Sequence, residues 1–404
     1  MTTTETPGIL PRILDYSSRP DPYPLYAELR KTPVALQEDG SYVISTYREL
    51  TGLLHDPHLS SDVRNLSRPM PGAAERAAPA FINLDPPEHD RLRRMAMRHF
   101  GPPHTPGLVA GMEGDLAAVV SGLIDDFTGK ERIDIVDDFA YPFPVTVICH
   151  LLGVPREDEP RFHVWVNHII DAINYNPKTD PQEKLTNGMQ ATKDLRQYLG
   201  GLLEQRHGRP GDDLLTRLAN DDGPEGRMTD DEIVSTANLL LIAGHETTVN
   251  LITNGMLTLL RHPEVLRRLR TEPDLAVPLV EELLRYEPPV HIIPWRAAYS
   301  DITVADTVIP KGSQIMLMLA SGSRDPDRFH DPDRFDPDRQ DNQHLGFGSG
   351  IHLCFGGPLA RLETQIALNA LVRRLNRPRL IADPPPYRPS PVLRGPIHLP
   401  IEQS

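Results

Sequence analysis

Cysteine is scarce in this chain. Two residues, Cys149 and Cys354, stand among 404, which excludes a disulfide framework. There is no run of about 18 apolar residues, so a helical membrane span is not expected. The first residues do not read as a signal segment, and a cytoplasmic protein is expected. Positive charge is also short: 42 basic against 56 acidic side chains leave a net charge of −14. That balance argues against nucleic acid and anionic membrane as partners. Aromatic residues make up only 6%, whereas proline is abundant, with 42 residues. So many prolines imply many helix starts and stops. The length leaves two domains or one large one open.

Residues 1–14 carry Thr, Pro7, Gly8 and Pro11 and are expected to form a loosely ordered tail. Val34 to Ile44 reads as a hairpin turning at Asp39-Gly40. Residues 60–85 are rich in Pro, Ser and Ala and read as a long loop, followed by a basic helix from about Asp90 to Phe100. The stretch 105–280 is mostly helical by pattern, broken at Pro142, Pro155, Pro177, Pro210 and Pro224. Within it Cys149 lies in an apolar run and reads as a buried core thiol. Thr229-Asp-Asp-Glu232 is a capping box that predicts a helix to Arg261, stopping before Pro263. Leu275–Tyr286 reads as a further helix. Ile302–Pro310 and Gln314–Leu319 read as strands, 325–339 as a turn-rich segment, and Pro358 opens a last helix. The fold class expected is mainly α with a small β lobe. Its helical body would come from about 85–285 and 355–377, and its β-rich lobe from about 30–60, 290–345 and 380–404.

Four segments carry chemistry. The first is Phe347-Gly348-Ser-Gly350-Ile-His352-Leu-Cys354-Phe-Gly356, a lone cysteine in a glycine-punctuated loop. The loop is too sparse for zinc or an iron–sulfur cluster, which want about three or four Cys/His ligands. A haem needs a single axial side chain, and its glycines let the loop lie flat against such a partner with N–H groups turned to the sulfur. The second is Ala243-Gly244-His-Glu246-Thr247 in the middle of the capped helix. It suits either a groove with an acid and an alcohol beside it, or close packing on a neighbour through Gly244; Thr247 can capture the carbonyl of Ala243. The third is Glu282-Leu-Leu-Arg285, which taken alone suits a solvated surface pair. The fourth places His89 and Arg93 one helical turn apart, as a carboxylate clamp or as an exposed basic face.

Together these segments resemble the cytochrome P450 family of haem-thiolate monooxygenases. The Cys354 loop matches F-x-x-G-x-H-x-C-x-G, the helix matches A-G-x-[DE]-T, Glu282/Arg285 matches E-x-x-R, and Asp85–Arg93 matches the D-P-P-x-H-x-x-x-R run of bacterial members. The likeness covers about Pro20 to the end. Two departures, Ser323 before Arg-Asp-Pro and His150 in place of Glu, touch no chemistry. The resemblance implies a single domain, a helical prism enclosing haem b, with Cys354 as the iron ligand. It places His89, Arg93, Arg296 and His352 at the haem propionates, with Ala243, Phe347, Gly348 and Gly356 also at the haem. Glu282, Arg285 and Arg339 would form a buried network, Arg334 competing for the third place. Glu246 and Thr247 would deliver protons during dioxygen activation.

The same resemblance implies insertion of one oxygen atom of O2 into an apolar small molecule, by a monomer. Electrons would come from a ferredoxin and an NAD(P)H-dependent ferredoxin reductase, docking near Arg94, Arg98 and Arg361. The pocket wall would take part of 63–82, Leu239, Leu240, Gly244, Val290, Ile292, Ile293, Val392 and Leu393, with His291 either as one polar contact or as a solvent-facing side chain. A peroxygenase using hydrogen peroxide and a non-catalytic haem protein are the alternatives.

Overall fold

The computed structural model describes residues 8–68, 79–101, 109, 111–173 and 180–403. The expected break at Pro177, the first seven residues of the expected tail and residues 69–78 of the expected loop lie outside these. The fold is built around one long helix, Asp230–Arg261, of 32 residues, about 48 Å at 1.5 Å per residue. Its start is fixed by the capping box. The Thr229 N–H donates to the Glu232 carboxylate at 2.8 Å, and the Glu232 N–H donates to the Thr229 hydroxyl at 3.3 Å. Most of its length is buried, so it reads as a core element with apolar residues on several faces. The helices Pro142–Leu152, Pro181–Glu204, Ala276–Tyr286 and Gly357–Arg374 pack around it. Pro263 stops it and opens the next helix, Pro263–Thr271, as a first-turn proline can.

A five-stranded sheet stands to one side. Its order is Val34–Leu36, Tyr42–Ile44, Gln314–Leu317, Ile293–Ala298, Leu59–Ser60. The first two strands form the hairpin, with Val34 opposite Ile44 and Gly40 at φ +84°. Ile302–Val304 and Thr307–Ile309 form a second small hairpin. The strand Ile293–Ala298 has no alternating pattern in its sequence, Ile-Pro-Trp-Arg-Ala-Ala, and only its pairing with Gln314–Leu317 reveals it.

Three expectations are corrected. Residues 9–14 of the expected loose tail are helical: Leu10 and Ile13 are buried against Tyr23, Tyr26 and Leu29, and that apolar contact orders the turn. The expected helical body contains a strand, Arg132–Asp134, held because Ile133 is buried and pairs with Ile401 of the C-terminal strand Pro400–Glu402. The expected loop 60–85 also carries short helical turns at Val63–Asn65 and Phe81–Asn83.

Candidate active site

The long helix and the Cys354 loop face each other across a cavity of about 370 Å³. The loop closes on itself where the Cys354 N–H donates to the Phe347 carbonyl at 2.9 Å. Gly350 has φ +70°, and a Cβ there would fall 1.9 Å from the carbonyl oxygen of Leu54, the last residue of the helix Tyr47–Leu54, so only glycine lets the loop lie on that helix end. Cys354 is exposed to the cavity rather than packed away. Burial pushes its thiol pKa up; the N–H groups of Gly356 and Gly357 and the cations of Arg93 and Arg361 oppose this by favouring the thiolate.

Around the loop is an excess of unanswered donors. Arg93 donates to the Leu353 carbonyl at 2.6 Å and Arg296 to the Trp295 carbonyl at 2.8 Å. Among the described residues neither has a carboxylate within ion-pair distance, and His89 Nε2 and His352 Nδ1 have no hydrogen-bond partner. His89 and His352 lie ring to ring at 4.3 Å. Burial drives the Arg296 pKa down to about 10. Burial, with His89, Arg296 and Arg93 nearby, drives His352 down to about 3. A site with two guanidiniums lacking a carboxylate and two imidazole nitrogens lacking a partner fits a group bringing anions of its own. The two carboxylates of a haem, with a thiolate beside its iron, meet that requirement.

The opposite wall is aliphatic. Leu239, Leu240, Ala243 and Gly244 of the long helix face Val290, Ile292 and Ile293. Both readings of Gly244 hold, since it lines the cavity and its absent Cβ would sit 2.9 Å from Ile148. The Thr247 hydroxyl donates to the Ala243 carbonyl at 2.6 Å, leaving its oxygen free to accept from the cavity side. Glu246 is not on the cavity wall. Its carboxylate lies 2.6 Å from Arg388 Nε and accepts from Asn250 Nδ2 at 3.3 Å. Burial raises its pKa, and Arg388 and Asn250 pull the other way.

Behind the loop, Glu282 and Arg285 are both at 0% exposure, joined by two hydrogen bonds of 2.8 Å. Arg339 Nε is 3.4 Å from Glu282, whereas Arg334 turns to Asp336, so Arg339 is the third member. Arg285 also donates to the carbonyls of Pro332, Ser323 and Arg334, tying the helix to the turn-rich segment.

Several expectations fall away. Val392 and Leu393 do not line the cavity. Leu393 pairs with Val290 and the Val392 carbonyl accepts from the His291 N–H, so both lie beside the wall segment rather than on the wall. His291 is buried, its Nδ1 2.9 Å from the Tyr26 hydroxyl, and makes no contact with the cavity. Among the described residues of 63–82, Phe81 and Ile82 reach the wall. Arg94, Arg98 and Arg361 are each ion-paired, with Glu225, Asp221 and Glu281, so they form no uncompensated basic patch. Glu363 was not foreseen: it lines the cavity, is bonded to Thr248, and burial pushes its pKa well up. Its only sequence signal is a position on the helix following Cys354.

The family model described as "Cytochrome P450" matches residues 72–386. The chain is 38% identical to cytochrome P450 monooxygenase PikC of Streptomyces venezuelae, over 99% of this chain and 95% of that protein. It is 36% identical to 6-deoxyerythronolide B hydroxylase of Saccharopolyspora erythraea, over 94% and 96%. Ligand-free CYP164A2 of Mycobacterium smegmatis superposes with a TM-score of 0.87 at 39% identity, over 98% of this chain and 99% of that one. Among the described residues no helix is long and apolar enough to cross a membrane.

Proposed function

The chain belongs to the cytochrome P450 family of haem monooxygenases, and from that premise we propose that it inserts one atom of O2 into an apolar small molecule bound between the long helix and the Cys354 loop. The observation that supports this best is the pairing of a cavity-facing Cys354 with an aliphatic wall at Leu239, Leu240, Val290, Ile292 and Ile293. In this reading the cofactor is haem b. Cys354 would hold its iron, and Arg93, Arg296, His89 and His352 its propionates. When bound, the haem would supply the oxidising chemistry, with thiolate ligation favouring O–O cleavage.

The chain's own residues then bind, orient and move protons. The aliphatic wall excludes water and holds the substrate by apolar contact. Ala243 and Gly244, lacking bulk, leave room above the loop. Thr247 offers an oxygen at the cavity and Glu246 the acid one residue away, a pair suited to pass protons inward. Phe347, Gly348 and Gly356 line the cavity and would border the cofactor, and the Glu282–Arg285–Arg339 network would hold the loop's supports in place. Electrons come, in this proposal, from a ferredoxin and its NAD(P)H-dependent reductase, to a chain acting as a monomer and a single domain. Apolar molecules are to be screened for a low- to high-spin shift of the ferric spectrum. Hits are then tested for dioxygen uptake with reductant and redox proteins. Substrate-dependent uptake with an oxygenated product supports the reading; product from hydrogen peroxide alone makes the protein a peroxygenase; no product by either route overturns it.

A further inference from the structure

A carboxylate with 2% exposure needs a cation or several donors to stay ionised. The groups that face Glu246 are few. Asn250 lies one turn further on the same helix, Tyr141 precedes the Pro142–Leu152 helix, Asp171 lies on the helix Glu159–Ile173, and Arg388 comes from the C-terminal region. Among the described residues Arg388 is the one cation within ion-pair distance of Glu246. It sits on a hairpin whose two sides meet where the Arg388 N–H donates to the Gly395 carbonyl at 3.0 Å and where Tyr387 pairs with Pro396. Gly395 is what lets this hairpin press on the long helix. A Cβ there would lie 2.2 Å from the Asn250 amide oxygen.

The same hairpin is bonded to the cavity wall. The Arg394 N–H donates to the Pro289 carbonyl at 2.9 Å, the His291 N–H donates to the Val392 carbonyl at 2.9 Å, and Leu393 pairs with Val290. Pro289 and Val290 line the cavity. A single run of about ten residues therefore links the wall where substrate would rest to the acid that faces away from it.

We propose that Arg388 is a positioning residue for Glu246: it holds the carboxylate against the C-terminal hairpin and out of the cavity, so that the direction and protonation of this acid are set from outside its own helix. The inference rests on the reading of Glu246 as the acid of a monooxygenase. Removing the cation leaves burial unopposed, and the acid should then keep its proton to higher pH. A lysine of the same charge should largely restore the balance, which a purely space-filling role would not require.

The test is infrared difference spectroscopy of the resting ferric holoprotein across a pH series, following the carbonyl stretch of the protonated acid. Glu246→Gln identifies the band by its loss. In Arg388→Gln the midpoint of that band is expected to move up by about one pH unit or more, and in Arg388→Lys to stay near that of the parent protein. If Arg388→Gln does not accumulate, Arg388→Met keeps the packing of the stem, and the same upward shift is expected. An unchanged midpoint in a folded Arg388→Gln or Arg388→Met variant overturns the proposal, as does an equal shift in Arg388→Lys. Because the measurement needs no turnover, its failure is separate from failure to find an oxygenated product.

Discussion

Arg285 grips Glu282 through two parallel hydrogen bonds of 2.8 Å, with both side chains fully out of solvent. The fork is completed by the Asp336 N–H and the Asn342 amide, which donate to the same carboxylate at 2.9 and 3.1 Å. Removing Glu282 leaves Arg285 buried with no carboxylate, and removing Arg285 leaves Glu282 only the more distant Arg339 at 3.4 Å. Arg285→Ala and Glu282→Ala are each expected to lose about 3–5 kcal/mol of stability. Arg285→Lys cannot make the forked contact and should recover only part of it. Denaturant unfolding and haem content per chain check this; a variant that unfolds and retains haem like the parent protein contradicts it.

Cys354 is the sole thiol that meets the cavity, since Cys149 is buried in the Pro142–Leu152 helix. Cys354→Ala is expected to abolish the thiolate-type Soret band of the reduced carbon-monoxide complex and the oxygenation activity. Persistence of that band would mean that the sulfur is not the ligand.

Thr247 uses its proton on the Ala243 carbonyl and presents an oxygen to the cavity. Thr247→Ala should leave the fold intact but lower product formed per reductant severalfold, with the balance appearing as hydrogen peroxide. Thr247→Ser keeps the hydroxyl and should stay near the parent ratio. Measuring product, reductant and peroxide together decides it, and an unchanged ratio in the alanine variant would remove the relay.

Glu281 braces the loop from the opposite side, between Arg361 at 2.6 Å and His344 at 3.1 Å. Burial would raise its carboxyl pKa, but the hydrogen bonds from Arg361 and His344 outweigh it and hold the group down to about 2, from an ordinary 4.5. A depressed folded pKa contributes stability above pH 4.5 that is lost as the pH falls toward 2. The contribution is of order 1 kcal/mol once screening at this partly exposed site is allowed for. Glu281→Gln should flatten that part of the stability profile. Equal slopes for the two proteins between pH 5 and about 2.5 would show that this carboxyl is not linked to folding.

The most legible features were those whose cause lies within a few residues. The capping box, the Asp39-Gly40 turn and the first-turn prolines act on neighbouring backbone groups, and each appears where its residues stand. The cysteine loop was legible for a similar reason, since its glycines and its sulfur occupy ten consecutive positions. Leu10 and Ile13 show the opposite case. Their spacing alone was too short a signal, and only burial against Tyr23 and Tyr26 makes that turn a helix.

From sequence alone came the chemical types: one thiol in a tight loop, an acid and an alcohol at the middle of a capped helix, and a scatter of arginines and histidines whose partners only a resemblance suggested. Tertiary packing decided which way each of them points. It turned Glu246 toward Arg388, 142 positions along the chain, chose Arg339 over Arg334 for Glu282, and paired Leu393 beside Val290, off the cavity wall. Such choices rest on which groups a folded chain brings within about 3 Å of each other, and local pattern carries no record of contacts made at that separation.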